Sequence, residues 1–300
     1  MRSRNLLCCV ILSLLLPHSC RADPSQNDSS ISFNRAKRLS DAQFNEETLR
    51  LSNYVVSIRT RTALKYFGDN HFCTGVILSP LYVLTSSHCL INKRRIKYAS
   101  RMLLIVAASV NRLKYIKHRT FVTPVQNIIL PDNFTMVNKQ DIGLLKLKQP
   151  LPRNNKYISV ARLPQHPPEP GTLCLVMGWG RMFLAGPLAS YMLHIDVKII
   201  DSLKCAELLK VPIFDLLCAI DDNNLTAQQP CVGDWGSPLM HENTVYGIVS
   251  ILVGCGSADL PSVYTDVYKN SDWIQAKISD DAGSTFSAPL LLVYFYIMLI

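Results

Sequence analysis

Three short segments of the chain carry side chains that could act together. Leu84-Thr85-Ser86-Ser87-His88-Cys89 offers an imidazole, and Asp141-Ile142-Gly143-Leu144-Leu145-Lys146-Leu147 opens an apolar strand with a carboxylate. The third, Pro230-Cys231-Val232-Gly233-Asp234-Trp235-Gly236-Ser237-Pro238-Leu239, is a glycine-containing loop with an acid, an indole and a hydroxyl in sequence. A carboxylate that orients an imidazole creates a general base, which can take the proton of a hydroxyl as it attacks a carbonyl. His88 and Asp141 are suited to those two roles. The centre of the third segment is not, because the indole of Trp235 has no nucleophilic oxygen.

These segments, in the order histidine, aspartate, loop, resemble the catalytic motifs of trypsin-like serine proteases. Cys174-Leu175-Val176-Met177-Gly178-Trp179-Gly180 and the closing Val263-Tyr264-Thr265-Asp266-Val267 and Asp272-Trp273-Ile274 are similar to further motifs of that family. The resemblance runs from about Asn53 to Ile278. It implies an all-β fold of two antiparallel six-stranded β-barrels, with a short intermediate helix and a C-terminal helix. It also implies that Trp235 stands where the family has its nucleophile, with His88 and Asp141 retained and Gly233 left as a remnant of the oxyanion hole.

Further departures from the family pattern concern the substrate pocket. Gln229 occupies the position whose acid attracts Lys or Arg side chains. In the wall Ser250-Ile251-Leu252-Val253-Gly254-Cys255, Leu252 replaces a glycine, and Ser262 replaces another. The Ile-Val-Gly-Gly terminus that the family exposes on activation is absent; Ser40-Asp41-Ala42-Gln43 lies near its place, and cleavage after Arg38 would expose Leu39. Asp234 would then lack an ammonium partner, so its carboxylate must bond to backbone and water or become neutral. These departures imply a pseudoprotease that acts by binding. The alternative is a weak or atypical endopeptidase using a displaced nucleophile, with Ser237 the nearest hydroxyl. Ser237 lies two residues beyond the nucleophile position, where the family has glycine, and its oxygen is expected to point away from His88.

The ends of the chain point to the secretory pathway. Met1 to Ala22 has Arg2 and Arg4, an apolar run from Leu6 to Leu16 and a Cys20-Arg21-Ala22 terminus, the pattern of a signal peptide. That run is too short to cross a bilayer, which needs about 20 apolar residues. At the other end, the polar Asp280-Asp281-Ala282-Gly283-Ser284-Thr285 precedes an apolar tail, Ala288 to Ile300, the pattern of a GPI-attachment signal. Between these ends the sequence divides into a polar leader at 23–52, a protease-like domain at 53–279 with barrels at about 53–165 and 172–268 and a helix at 269–278, and the segment 280–300. The proline-rich stretch 164–171 marks the crossing between barrels. Asp201 to Lys210 has the spacing of a short helix.

Of the ten cysteines, Cys8, Cys9 and Cys20 would leave with the signal peptide, so seven remain and one has no intramolecular partner. The resemblance implies the pairs Cys73-Cys89, Cys205-Cys218 and Cys231-Cys255. Cys174 is then the odd thiol, because the position of its usual partner is His241. The sequons at Asn27, Asn133 and Asn224 fit a secreted glycoprotein.

Between Lys93 and Pro131 there are nine Lys or Arg and no Asp or Glu. Loss of Arg2, Arg4 and Arg21 lowers the formal charge from +9 to +6, so this window exceeds the whole remaining excess. Lys93, Arg94, Arg95, Lys97, Arg112, Lys114, Lys117 and Arg119 are the core of an expected basic patch for a sulfated glycan or an acidic protein. Secretion disfavours nucleic acid as the partner. No metal is expected, since the family's calcium loop lies in this region and here has no carboxylates; no cofactor is expected either.

Overall fold

Strands form where β-branched and apolar residues recur between turn signals, and the computed structural model arranges twelve of them into two closed barrels. The structure describes residues 44–132, 134, 140–221, 228–256 and 260–284. The leader before Phe44, the three sequon asparagines and the apolar C-terminal tail therefore lie outside the described residues, as does the Ser40–Gln43 segment.

The first barrel comprises β1 (Val55–Thr60), β2 (His71–Ser79), β3 (Tyr82–Thr85), β4 (Leu103–Ala107), β5 (Phe121–Ile129) and β6 (Gly143–Leu147). Its strand order is β1-β2-β3-β6-β5-β4. The second contains β7 (Leu173–Gly178), β8 (Leu193–Ile200), β9 (Leu216–Ile220), β10 (Pro238–His241), β11 (Thr244–Ile251) and β12 (Ser262–Asp266), and it repeats the same order, β7-β8-β9-β12-β11-β10. All pairings within the barrels are antiparallel. Closure leaves neither sheet an unpaired edge. The first barrel's core includes Ile58, Ile77, Val83, Leu103, Ile105 and Leu145; the second's includes Val176, Ile195, Val197, Leu239 and Val249. Residues of both halves meet in a third cluster that includes Leu84, Leu144, Met177, Trp179 and Ile248.

Three α-helices lie among the described residues. α1 (Glu46–Leu51) lies in the segment read from sequence as a featureless leader, and its Leu51 is fully buried. Six residues are too few for hydrophobic periodicity to register. What fixes this helix is local: a capping box between Asn45 and Thr48 at its start. Thr48 also hydrogen-bonds His194 on β8 at 2.7 Å. α2 (Ser202–Leu209) is capped by Asp201, which accepts from the Lys204 N–H, and ends at Lys210 in the left-handed region. α3 (Ser271–Ser284) extends six residues past the expected end at Ile278. The polar run after Ile278 contains only one glycine, which lowers helix propensity by about 1 kcal/mol without ending the helix.

Candidate active site

The β3–β6 pairing brings the first two chemical segments together. Thr85 pairs with Gly143 and Leu84 with Leu144, so the residues leaving β3 lie beside those entering β6. His88 sits on a one-turn 3₁₀ segment, Ser87–Leu90, held to β2 by the Cys73–Cys89 disulfide. Its Nδ1 is 2.6 Å from Asp141 Oδ2, and its backbone N–H donates to Asp141 Oδ1 at 2.9 Å. Ser250 Oγ donates to Asp141 Oδ2 at 2.7 Å from the second barrel. Ser86 Oγ donates to Asp141 Oδ1 at 2.6 Å and also lies 2.6 Å from His88 Nδ1. Burial pushes the Asp141 carboxyl up, but the His88 hydrogen bond and charge, with the Ser86 and Ser250 hydroxyls, outweigh it and hold the group below the usual carboxylate range.

Ser86 was not among the residues singled out from sequence. The available signal was a hydroxyl two residues before an expected base, yet hydroxyls at such spacing are common. Only the β3–β6 register shows that it faces the carboxylate.

The third segment crosses between barrels. Gly236 has φ +79°, and a Cβ placed there would lie 2.1 Å from both the Thr74 carbonyl and Thr85 Oγ1. Glycine is required at that point by conformation and by space together. With the loop so close, the Thr74 N–H of β2 donates to the Trp235 carbonyl at 2.8 Å. The Trp235 indole packs against the first-barrel core and meets the His88 ring edge to face, with centroids 5.3 Å apart and planes at 90°. His88 Nε2, the nitrogen that would receive a nucleophile's proton, is buried and has no hydrogen-bond partner.

Ser237 is turned elsewhere. Its Oγ is fully buried without a partner and lies so close to Gly178 that a Cβ there would be 2.6 Å away. Asp234 is also buried; Oδ1 accepts from the Gly180 N–H at 2.7 Å and Oδ2 from the Cys231 N–H at 3.0 Å. Backbone donors thus serve the carboxylate. Gly233, at φ +100°, offers its carbonyl to His71 Nε2 at 3.2 Å.

The pocket residues are filled in by local packing. Gln229 is buried, donating to the Leu260 carbonyl and accepting from the Gly256 N–H at 3.4 Å. Leu252 is half-buried against the second-barrel core, and Ser262 is buried on β12 opposite Ala219. Cys205–Cys218 and Cys231–Cys255 are disulfides, and Cys174 is a free buried thiol that burial pushes up to about 12. Such a thiol is a small core hydrophobe rather than a reactive thiolate. The Met240–Leu175 pairing brings the next residue, His241, beside the Cys174 strand, where its Nδ1 lies 2.8 Å from the Leu173 carbonyl. Among the described residues no group of three His, Cys, Asp or Glu side chains could hold a metal ion.

The basic window divides. Lys93, Arg94 and Arg95 occupy the tip of a hairpin whose arms meet at Ile91 and Lys97, and all four basic residues are exposed. Asn92 shapes the tip by accepting from the Arg94 and Ile96 N–H groups, and Arg95 is left-handed at φ 60°. Lys114 and Lys117 are exposed on a second turn, while Arg119 is half-buried with its guanidinium 4.1 Å over the Tyr157 ring. Arg112 does not belong to the patch. It is buried, donating to the carbonyls of Ala189 at 2.8 Å, Gly68 at 2.6 Å and Leu188 at 3.4 Å. A lysine-and-arginine count cannot distinguish a solvated cation from one whose fork of donors ties loops together.

Arg112 has a buried neighbour, Arg59, which donates to the Arg112 carbonyl at 2.8 Å and to Ser57 Oγ at 2.8 Å. Ser57 in turn hydrogen-bonds His71 Nδ1 at 2.8 Å. Burial, reinforced by the Arg112 and Arg59 charges, pushes the His71 imidazole down to about 3.

A two-barrel domain with a His–Asp pair at the junction of its halves has the architecture of the chymotrypsin-like serine proteases. The family profile described as Trypsin matches residues 44–274, and the chain belongs to that family. A snake venom serine protease 1 of Craspedocephalus gramineus is 30% identical over 71% of this chain and 80% of its own length. Anionic trypsin of Canis lupus familiaris is 29% identical over 70% of this chain and 81% of its own. The protein C activator of Agkistrodon contortrix contortrix is 28% identical over 73% and 91% respectively. Among the described residues, no helix is long and apolar enough to cross a membrane.

The buried His71 gives a pH test. Its native pKa lies below the ordinary value, so the unfolded chain binds the proton first; stability is full above about pH 6.5 and falls as pH drops toward 3. Between pH 7 and pH 5 the wild type should lose about 2 kcal/mol more unfolding free energy, measured by urea denaturation, than His71→Gln, which keeps a donor and an acceptor. Equal losses would mean that the imidazole is not held neutral.

Proposed function

We propose that this protein is a secreted or cell-surface member of the trypsin family that has lost peptidase chemistry and acts by binding. The observation that carries this reading is the Trp235 indole standing edge to face with His88, 5.3 Å between centroids, at the position where the family's nucleophile would meet its base. Removal of the nucleophile alone costs on the order of 10⁶ in turnover in a related type of hydrolase. Gln229 at the pocket base, and Leu252 and Ser262 along its wall, supply further obstacles to a cationic substrate side chain. Ser237 does not rescue the reaction, since its hydroxyl is buried beside Gly178.

Wild-type protein should therefore resist labelling by a fluorophosphonate probe, and Trp235→Ser alone should not restore peptide hydrolysis. Stoichiometric labelling of any wild-type serine would reject the reading. Robust turnover by the single variant would show that the pocket remains intact.

The binding surface proposed is the basic hairpin beyond His88 together with Lys114 and Lys117, and a sulfated glycan is the partner its uncompensated charge favours. Exposed charges are screened beyond about 8 Å at physiological ionic strength, so retention on heparin should fall with salt. Reversal of Lys93, Arg94, Arg95 and Lys97 to Glu should weaken retention far more than four reversals elsewhere at matched net charge, whereas Arg112, being buried, should not be part of the surface. Retention equal to wild type would make the hairpin an ordinary solvated face; loss of an acidic protein ligand but not of heparin would identify the other partner class.

The tail after α3 is proposed to direct GPI attachment, with the mature C-terminus between Ser279 and Ser284. Phosphatidylinositol-specific phospholipase C should then release the protein from cells. Retention with Ile300 still present would replace the lipid anchor with a polypeptide one.

A further inference from the structure

Two loops of the first barrel, residues 61–70 between β1 and β2 and residues 111–120 between β4 and β5, are built against each other. Gly68, at φ +88°, comes so close that a Cβ there would lie 1.9 Å from the Arg112 carbonyl oxygen. The Arg112 guanidinium donates to the Gly68 carbonyl at 2.6 Å, and Phe67 meets Tyr115 edge to face with centroids 5.7 Å apart. Each tip is also fixed from within. Asp69 accepts from the Leu64, Lys65 and Tyr66 N–H groups, so both of its oxygens serve its own loop. The Ile116 N–H donates to Thr120 Oγ1 at 3.0 Å, and the Thr120 N–H returns a bond to the Ile116 carbonyl at 2.8 Å.

These locked tips hold large side chains in water. Leu64 is 81% exposed, Tyr66 and Tyr115 are 57% exposed each, and Ile116 is 44% exposed. A single exposed leucine is ordinary, but apolar and aromatic side chains gathered on two adjoining loops mark an interaction surface. Arg61, Lys65, Lys114 and Lys117 stand exposed among them. Asp69 is the one acid in either loop, and none of the four cations pairs with a carboxylate among the described residues. With both tips preformed, little ordering is left for binding to impose.

We propose that this face docks on the surface of an anionic lipid bilayer, with Leu64 and Ile116 entering the acyl boundary, Tyr66 and Tyr115 at headgroup level, and the four cations among the anionic headgroups. Tyrosine rings favour the membrane–water interface, and a lysine can lay its stem along apolar surface while its ammonium reaches an anion. Binding of this kind grows with the apolar area inserted and with attraction to anionic lipid. A sulfated glycan would use Lys114 and Lys117 but would leave Leu64 and Ile116 in water, so the inference stands apart from the glycan surface proposed above. An acidic protein would have to match fixed carboxylates to four dispersed cations, whereas a fluid headgroup layer supplies anions wherever the cations fall.

The test is sedimentation with vesicles of mixed phosphatidylcholine and phosphatidylserine, using the mature protein freed of any glycolipid by phosphatidylinositol-specific phospholipase C. Saturable binding is expected, at least about tenfold weaker on phosphatidylcholine alone because attraction to anionic headgroups is lost. Leu64→Ser combined with Ile116→Ser changes two exposed side chains that belong to no core cluster. This variant should bind the mixed vesicles about tenfold or more weakly while its retention on heparin stays as in wild type. Leu64→Trp places an indole on the tip, and its emission should shift to the blue on mixed vesicles beyond any change in wild type. Absence of saturable binding to mixed vesicles overturns the proposal. So does wild-type vesicle affinity in the double serine variant, or unchanged emission from vesicle-bound Leu64→Trp, which would place another face on the lipid. Retention on an acidic protein that the double serine variant loses, without any vesicle binding, would make the face a protein interface and likewise overturn it.

Discussion

The hydrogen bond from the Thr74 N–H to the Trp235 carbonyl, 2.8 Å long, joins a strand of one barrel to a loop of the other, and the cleft depends on it. It forms only because Gly236 lets the loop approach within a distance that any Cβ would block. From that junction the indole is delivered to the imidazole, Ser250 reaches across to Asp141, and Asp234 is placed under the Gly180 and Cys231 N–H groups. The side chain that the junction presents to His88 is an indole.

The junction is underlaid by buried cations. Arg59 and Arg112 sit beneath the surface with carbonyls and a hydroxyl as their hydrogen-bond acceptors, and His71 stays neutral beside them. An isolated buried charge is costly, so each carbonyl turned toward a guanidinium offsets part of that cost while fixing a loop. Arg112 thereby ties the 64–70 turn to residues 188–190, and Arg59 supports the strand that carries Ser57. This arrangement demands precision: a carbonyl that rotated away would leave part of a cation unsolvated. Phe67 contributes a further share, with its ring centroid 4.4 Å from the Arg59 guanidinium carbon.

Much of the architecture was legible because long apolar strands and motif order carry it. The two six-stranded barrels, the proline-rich crossing, α2 and the three disulfide pairs required no information beyond chain order and resemblance. α1 was not legible, since a single turn and a half is defined by the Asn45–Thr48 capping box and by contact with His194 rather than by periodicity. Arg112 was misassigned for a related reason: composition reports a charge but not whether it faces water. In the site, His88 and Asp141 stand out by motif, whereas Ser86 joins them only through the β3–β6 register, and Ser57, His71 and Arg59 form their separate network only when the β1–β2 pairing brings them into contact.

The distribution of the disulfides has a mechanical consequence. Cys73–Cys89 lies wholly in the first barrel, and Cys205–Cys218 and Cys231–Cys255 lie wholly in the second, while Cys174 remains a thiol. Among the described residues no sulfur bridge spans the proline-rich crossing at 164–171. As described, the halves are covalent islands joined by one thread of backbone. If an endopeptidase cut that thread, the described halves would hold together through packing and cross-barrel hydrogen bonds alone, and a denaturant would part them into two fragments without any reductant.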